Sequence, residues 1–273
     1  LALSYLPDWF KTEEMKGVRN DSLFEILRRR KFALVSEYMA ENYGSPDPSQ
    51  TGDGGISIQG AQHRSIFFIN LALWLAKPTG LTFEYIFDIS ESSTEKTIRA
   101  SYTFIGFQSH YQFSKDRLAP EDLTNAKLMY DAILKLDKKS SIWISIRSIQ
   151  NALREVDWAM RYLQFWIALE SLFGPEDGRE ITFRLSERLA LFLEPDREKA
   201  QQVFETVKKG YSWRSKIVHG MHLSKLTTEE SGKLSLATEQ IANQVIVKIL
   251  NDSELIQKFS RGREKYLDGL IFS

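Results

Sequence analysis

Cysteine is absent from all 273 residues. That excludes disulfides, iron–sulfur clusters and thiolate zinc sites, and it suits a reducing, cytoplasmic compartment. An excess of either charge is missing too: Lys plus Arg and Asp plus Glu both number 36, for a net charge of zero. Bulk electrostatic capture of duplex nucleic acid needs a basic face and is argued against, although a small local basic groove is not. Long apolar runs are also lacking. None approaches the roughly 20 residues of a membrane span, and no basic start with a small-residue cleavage site marks a secretory leader. No internal repeat, heptad run or low-complexity tract interrupts the chain. It opens at Leu1 rather than Met, which reads as a piece of a longer protein.

The composition that remains is that of a globular protein, with 42% hydrophobic and 26% charged residues, enough apolar material for a sizeable core. Two textures are visible. Residues 1–118 mix patterns. Asn20-Asp21-Ser22 reads as the cap of a helix running from Leu23 towards Asn42, carrying the basic strip Arg28-Arg29-Arg30-Lys31. A Gly/Pro/Ser/Asp-rich loop follows from Gly44 to Gly60, then a buried helix over Ser65–Lys77. Leu81, Phe83, Tyr85, Phe87 and Ile89 alternate strictly, as do Ile98, Ala100, Tyr102 and Phe104, a period-two pattern that predicts a β-hairpin.

Residues 119–273 are helical in pattern almost throughout. Pro120-Glu121-Asp122 opens a helix, and Ile142, Ile146, Ile149 and Leu153 continue the period in the next. A wide apolar stripe runs from Trp158 through Tyr162, Phe165, Trp166 and Leu169 to Phe173, ended by Gly174-Pro175. Further helices are marked by Leu185, Leu189 and Phe192, by Val203, Val207 and Tyr211 with a kink expected at Gly210, and by Ile241, Val245 and Ile249. Ser253 reads as the cap of a last segment towards Leu270. Short connections predict antiparallel neighbours. The expected fold is therefore mainly α, an antiparallel helical bundle preceded by a smaller α+β region containing the hairpin.

The segment Tyr211-Ser-Trp-Arg-Ser-Lys-Ile-Val-His-Gly220 concentrates the chemistry. Arg214 is a permanent cation, and His219 carries the side chain that titrates near neutral pH. Together they can activate a 2′-hydroxyl, protonate a leaving oxygen and neutralise a phosphoryl group, with no metal needed. Five positions on a regular helix span about 140°, so the pair does not point one way. Either the turn near Gly210–Ser212 is irregular, or two copies of the segment meet across a two-fold axis. Lys208, Lys209 and Lys216 make a local basic strip with Arg214, and Tyr211 and Trp213 are candidate stacking platforms for bases or else packing residues. Glu170, in an otherwise apolar stripe, calls for a cationic partner, with Arg188 and Arg214 the candidates. His219 and His222 lie three apart, but no further ligand cluster accompanies them, and no metal or cofactor is expected.

Ala168-Leu-Glu-Ser-Leu-Phe173, Leu185-Ser-Glu-Arg-Leu-Ala190 and the Tyr211–Gly220 segment, in this order and spacing, resemble the HEPN superfamily and look most like its Apea-like branch, found in prokaryotic defence proteins. The similarity covers about residues 125–272, and the stretch around Ala72-Leu-Trp-Leu75 with the hairpin resembles, more loosely, the segment that often precedes this domain. The resemblance implies a dimerising helical bundle in which Arg214 and His219 line a metal-independent endoribonuclease cleft for single-stranded RNA, serving antiviral defence or acting as a toxin. DNA, lacking the 2′-hydroxyl, is not an expected substrate. Many superfamily members carry Asn, Asp or His after the arginine where this chain has Ser215. Glu170, Ser215 and Arg188 are the supporting residues on this reading. Non-catalytic interaction or sensor modules also belong to the superfamily and supply the alternative.

Overall fold

The computed structural model describes residues 2–5, 32–35, 58–78, 82–91, 96–106, 118–220 and 226–271, with side-chain surroundings for 67–78, 118–220 and 226–271. By its backbone contacts the chain divides into two compact units, Leu1–Gly60 and Ala61–Ser273.

In the first unit, β1 (Ala2–Tyr5) pairs antiparallel with β2 (Phe32–Val35), Ala2 opposite Val35 and Tyr5 opposite Phe32. The strand interrupts the helix expected from Leu23 to Asn42. Phe-Ala-Leu-Val combines aromatic and branched residues that fit a pleated surface, and pairing overrides the local helical reading. The remainder of that expected helix, with its cap and its basic strip, lies outside the described residues, as does the loop from Gly44 to residue 57.

The second unit is mainly helical. Helix α1 (Ile58–Ala76) buries Phe68 to Leu75, with Trp74 wholly enclosed. Strands β3 (Thr82–Glu91) and β4 (Lys96–Gly106) pair antiparallel, with a register irregularity between Phe83 and Tyr85. Eight helices follow among the described residues. Helix α2 (Pro120–Leu134) starts with Pro at its first position, and the Asp122 carboxylate accepts the Ala119 N–H at 2.8 Å. Helix α3 (Ser141–Arg154) is capped by Ser140, whose hydroxyl accepts the Trp143 N–H. Asp157 and Asp196 do the same for α4 (Trp158–Phe173) and α6 (Arg197–Val218), each satisfying an N–H that has no partner within its helix. Helix α5 (Ile181–Leu193) lies between them in sequence, and α7 (Thr228–Leu250) opens with a reciprocal Thr227–Glu230 box.

The segment expected to run on from Ser253 is two helices. Helix α8 (Ser253–Ser260) is capped by Asp252 rather than Ser253, since the longer carboxylate reaches both the Glu254 and Leu255 N–H groups. It ends where Gly262 takes φ +97°, a conformation costly for any residue with a Cβ, and α9 (Arg263–Ile271) begins.

Helix α4 is the axis of the core. Tyr162, Phe165, Trp166, Leu169, Leu172 and Phe173 are all at most 1% exposed. It runs antiparallel to α3, with Ser171 reaching the Ser141 carbonyl near one end and Arg161 holding the Glu155 carbonyl at the other. Against α6 it runs parallel, because Tyr162 meets Gly210 and Glu170 meets Arg214. On α1, Trp74 donates its indole N–H to the buried Glu239 of α7, whose Asn243 donates back to the Trp74 carbonyl. A buried carboxylate without such donors would cost several kcal/mol. Among the described residues no helix is long and apolar enough to cross a membrane.

Candidate functional site

The site is built where α4 and α6 lie side by side. Positions four apart on a helix fall on one face, and Tyr162, Trp166 and Glu170 form such a row. Each meets the same stretch of α6. The Tyr162 hydroxyl donates to the Gly210 carbonyl at 2.6 Å, Trp166 packs edge-on against Tyr211 with centroids 5.4 Å apart, and Glu170 faces Arg214. Helix α6 passes unbroken through Gly210, where a kink was expected. The glycine is there for proximity instead. A Cβ at that position would sit 2.7 Å from the Trp166 ring and 3.3 Å from the Tyr162 oxygen. The irregular-turn explanation for the Arg214–His219 spacing falls with the kink.

Glu170 pairs with Arg214 and not with Arg188. One carboxylate oxygen accepts from Nη2 at 3.1 Å, and the other lies 2.8 Å from Nε, close but off the N–H axis, so that contact is ionic rather than an aligned hydrogen bond. Both side chains are about a quarter exposed. Arg188 is wholly buried elsewhere: its Nη2 bonds Glu264 and Asp268 of α9, each at 2.7 Å, and its Nη1 reaches the Phe173 carbonyl. Burial opposes its charge, but hydrogen bonds and attraction from the two acids outweigh that and raise its pKa above the ordinary arginine value. Arg188 thus fastens α5 to α9 and takes no part in the Arg214 cluster.

His219 ends α6. Its N–H returns to the Ser215 carbonyl at 3.1 Å, its side chain is exposed, and Gly220 follows at φ +66°, the left-handed position where glycine terminates helices. Ser215 and Lys216 are half-buried, Lys208 and Lys209 exposed. The Lys216 ammonium sits 4.1 Å over the Trp213 ring and covers one of its faces. Tyr211 is only 6% exposed and lies against Trp166, so its ring belongs to the core and offers no face for a base. The Arg214 guanidinium lies 5.5 Å from that ring. His222 lies outside the described residues.

Two phenols at this junction titrate abnormally. Burial pushes Tyr162 up to about 12, and burial reinforced by the Glu170 carboxylate does the same to Tyr211. An unfolded chain ionises its tyrosines near pH 10. The stability tied to these two is therefore whole below pH 10 and lost as pH rises towards 12, by on the order of 2 kcal/mol for each. Thermal melts across that range are expected to fall steeply for the wild type and less steeply for Tyr162→Phe. A flat profile would show that neither phenol is protected.

The row Tyr162, Trp166, Glu170 is written in the sequence at a helical spacing, and that spacing was the available signal for it. Its counterpart Gly210 carried none, because close approach between helices has no local signature. No family model, curated protein or solved structure matches this chain.

Proposed function

We propose that the chain is a metal-independent endoribonuclease of the HEPN type, cleaving single-stranded RNA at a site formed by Arg214 and His219 from two copies. The observation that carries this reading is the state of the two groups. Arg214 is oriented by Glu170 yet keeps about a quarter of its side chain exposed, and His219 is exposed at the end of the same helix. The two side chains leave α6 about 140° apart, so one copy does not aim both at one phosphate. A second copy supplies the missing group. Ile167, 40% exposed on α4, supports that pairing: it lies only about 60° round the helix from Glu170 and puts apolar surface beside the site.

In the reaction an imidazole takes the proton of the RNA 2′-hydroxyl, and the oxygen attacks the adjacent phosphorus. The bond from phosphorus to the 5′-oxygen breaks, and an imidazolium protonates that oxygen. The guanidinium hydrogen-bonds the non-bridging oxygens as charge grows on them. Cleavage is expected to persist in EDTA and to leave 2′,3′-cyclic phosphate and 5′-hydroxyl ends, read by end-labelling and mass spectrometry. Linear 3′-phosphate or 5′-phosphate primary products would overturn the reading.

The rival is a non-catalytic interaction module, and the Glu170–Arg214 pair is the observation that favours it, since an arginine held by a carboxylate can serve packing alone. On that reading no RNA is turned over, and substitution of Arg214 or His219 changes only the state of association.

A further inference from the structure

We infer that Glu170 is a positioning residue that occupies one edge of the Arg214 guanidinium so that the other edge is presented to the oxygens of a phosphodiester. The inference takes its ligand from the nuclease reading but stands on the pairing geometry itself. A guanidinium has two edges that can each grip a pair of oxygens. Glu170 takes the side edge, with Oε1 2.8 Å from Nε and Oε2 3.1 Å from Nη2. Among the described residues Nη1 has no hydrogen-bond partner, which leaves the end edge, Nη1 with the second proton of Nη2, for an incoming anion.

Three further contacts hold that edge in place. Tyr162 bonds the Gly210 carbonyl, the group one helical turn before Arg214 that regular α-geometry pairs with the Arg214 N–H. Tyr211 backs the guanidinium and, with its phenol pushed up to about 12, brings no second negative charge at neutral pH. Gly210 keeps α6 against the Trp166 ring. The arginine is thus set in advance, which matters because a transition state gains most from donors that need no reorganisation.

The same carboxylate has an electrostatic cost. It partly cancels the charge that a resting phosphate would feel, so Glu170 weakens ground-state anion binding while sharpening geometry. These two effects have opposite signs, and a merely structural ion pair would not separate them. The test uses the whole chain as wild type, Glu170→Gln, Glu170→Asp and Arg214→Ala. A 2′-O-methylated RNA tetramer, which keeps the phosphates but has no nucleophile, is titrated for Kd, and the matching RNA gives kcat and KM. Glu170→Gln is expected to bind the tetramer about threefold to tenfold more tightly and to lose at least about tenfold in kcat. Glu170→Asp, which keeps the charge, should hold the wild-type Kd and recover part of kcat, and Arg214→Ala should abolish binding.

If no variant cleaves RNA yet the order of Kd values holds, the positioning role stands and the nuclease reading fails. If the wild type cleaves and Glu170→Gln leaves Kd and kcat as they were, the positioning role fails and the nuclease reading survives. Weaker binding in Glu170→Gln, or no binding by any protein including the wild type, also overturns it.

Discussion

Arg214→Ala and His219→Ala, each inactive alone, are expected to recover RNA cleavage when co-expressed and assembled together. Loss of a guanidinium that stabilises developing charge costs about 10²–10³ in rate, and loss of an acid–base group about 10²–10⁴, so each pure variant falls close to background. Random assembly makes about half of the dimers mixed, and each mixed dimer keeps an arginine from one copy and a histidine from the other. Recovery to roughly a tenth to a quarter of the wild-type rate follows from that arrangement. His219 is exposed and makes no side-chain hydrogen bond among the described residues, so its removal leaves the fold untouched. Arg214→Ala strands the partly exposed Glu170, a cost of about 1–2 kcal/mol that circular dichroism will register without loss of the helices. Mixed dimers proven by mass spectrometry yet silent on RNA would show that the two groups do not meet across copies.

The second large effect is on stability. Arg188 has no exposed side-chain surface, and its partners Glu264 and Asp268 lie on the last helix, 76 and 80 positions away. Arg188→Ala removes the buried cation, opens a cavity and frees the Phe173 carbonyl from one donor. The acids are a quarter and a half exposed, so water recovers part of their solvation, and the expected loss is about 3 kcal/mol. In a domain of this size that lowers the melting temperature by roughly 6–12 °C. The damage should begin at α9, which Arg263 also ties to the Ser171 carbonyl at 2.6 Å. Limited proteolysis is expected to clip that helix before the rest unfolds. Because Arg188 stands apart from the Glu170–Arg214 pair, any activity of folded Arg188→Ala protein should match the wild type at low temperature.

Much of the helical unit is legible residue by residue, because its signals are local. Pro120 and Asp122 open α2 within one turn, and the periods through Ile142–Leu153 and Tyr162–Phe173 match the faces that are buried. The readings that failed were also local ones. At Phe32–Val35 the partner strand lies about 30 residues upstream, and no window around the segment contains it. The kink expected at Gly210 rests on the general rule that glycine weakens helices, whereas here a neighbouring tryptophan ring demands the missing side chain. Ser253 lost the cap to Asp252 by one position, within the usual uncertainty of helix ends.

The chemical inventory belongs to the chain alone: an arginine and a histidine five positions apart at a helix terminus marked by Gly220, an acid in an apolar stripe, and no thiol anywhere. These follow from neighbours in sequence, where helical spacing and capping are decided within a few residues. Which cation Glu170 would choose was not decidable that way, since Arg188 and Arg214 lie 18 and 44 positions beyond it and both carry the same charge. Packing made the choice. The parallel course of α4 and α6, held by Tyr162 and Gly210, brings Arg214 to the carboxylate and turns Arg188 towards α9. Ion pairing falls off within a few ångströms, so only the folded arrangement of helices could say which charge would be answered and which edge of it left open.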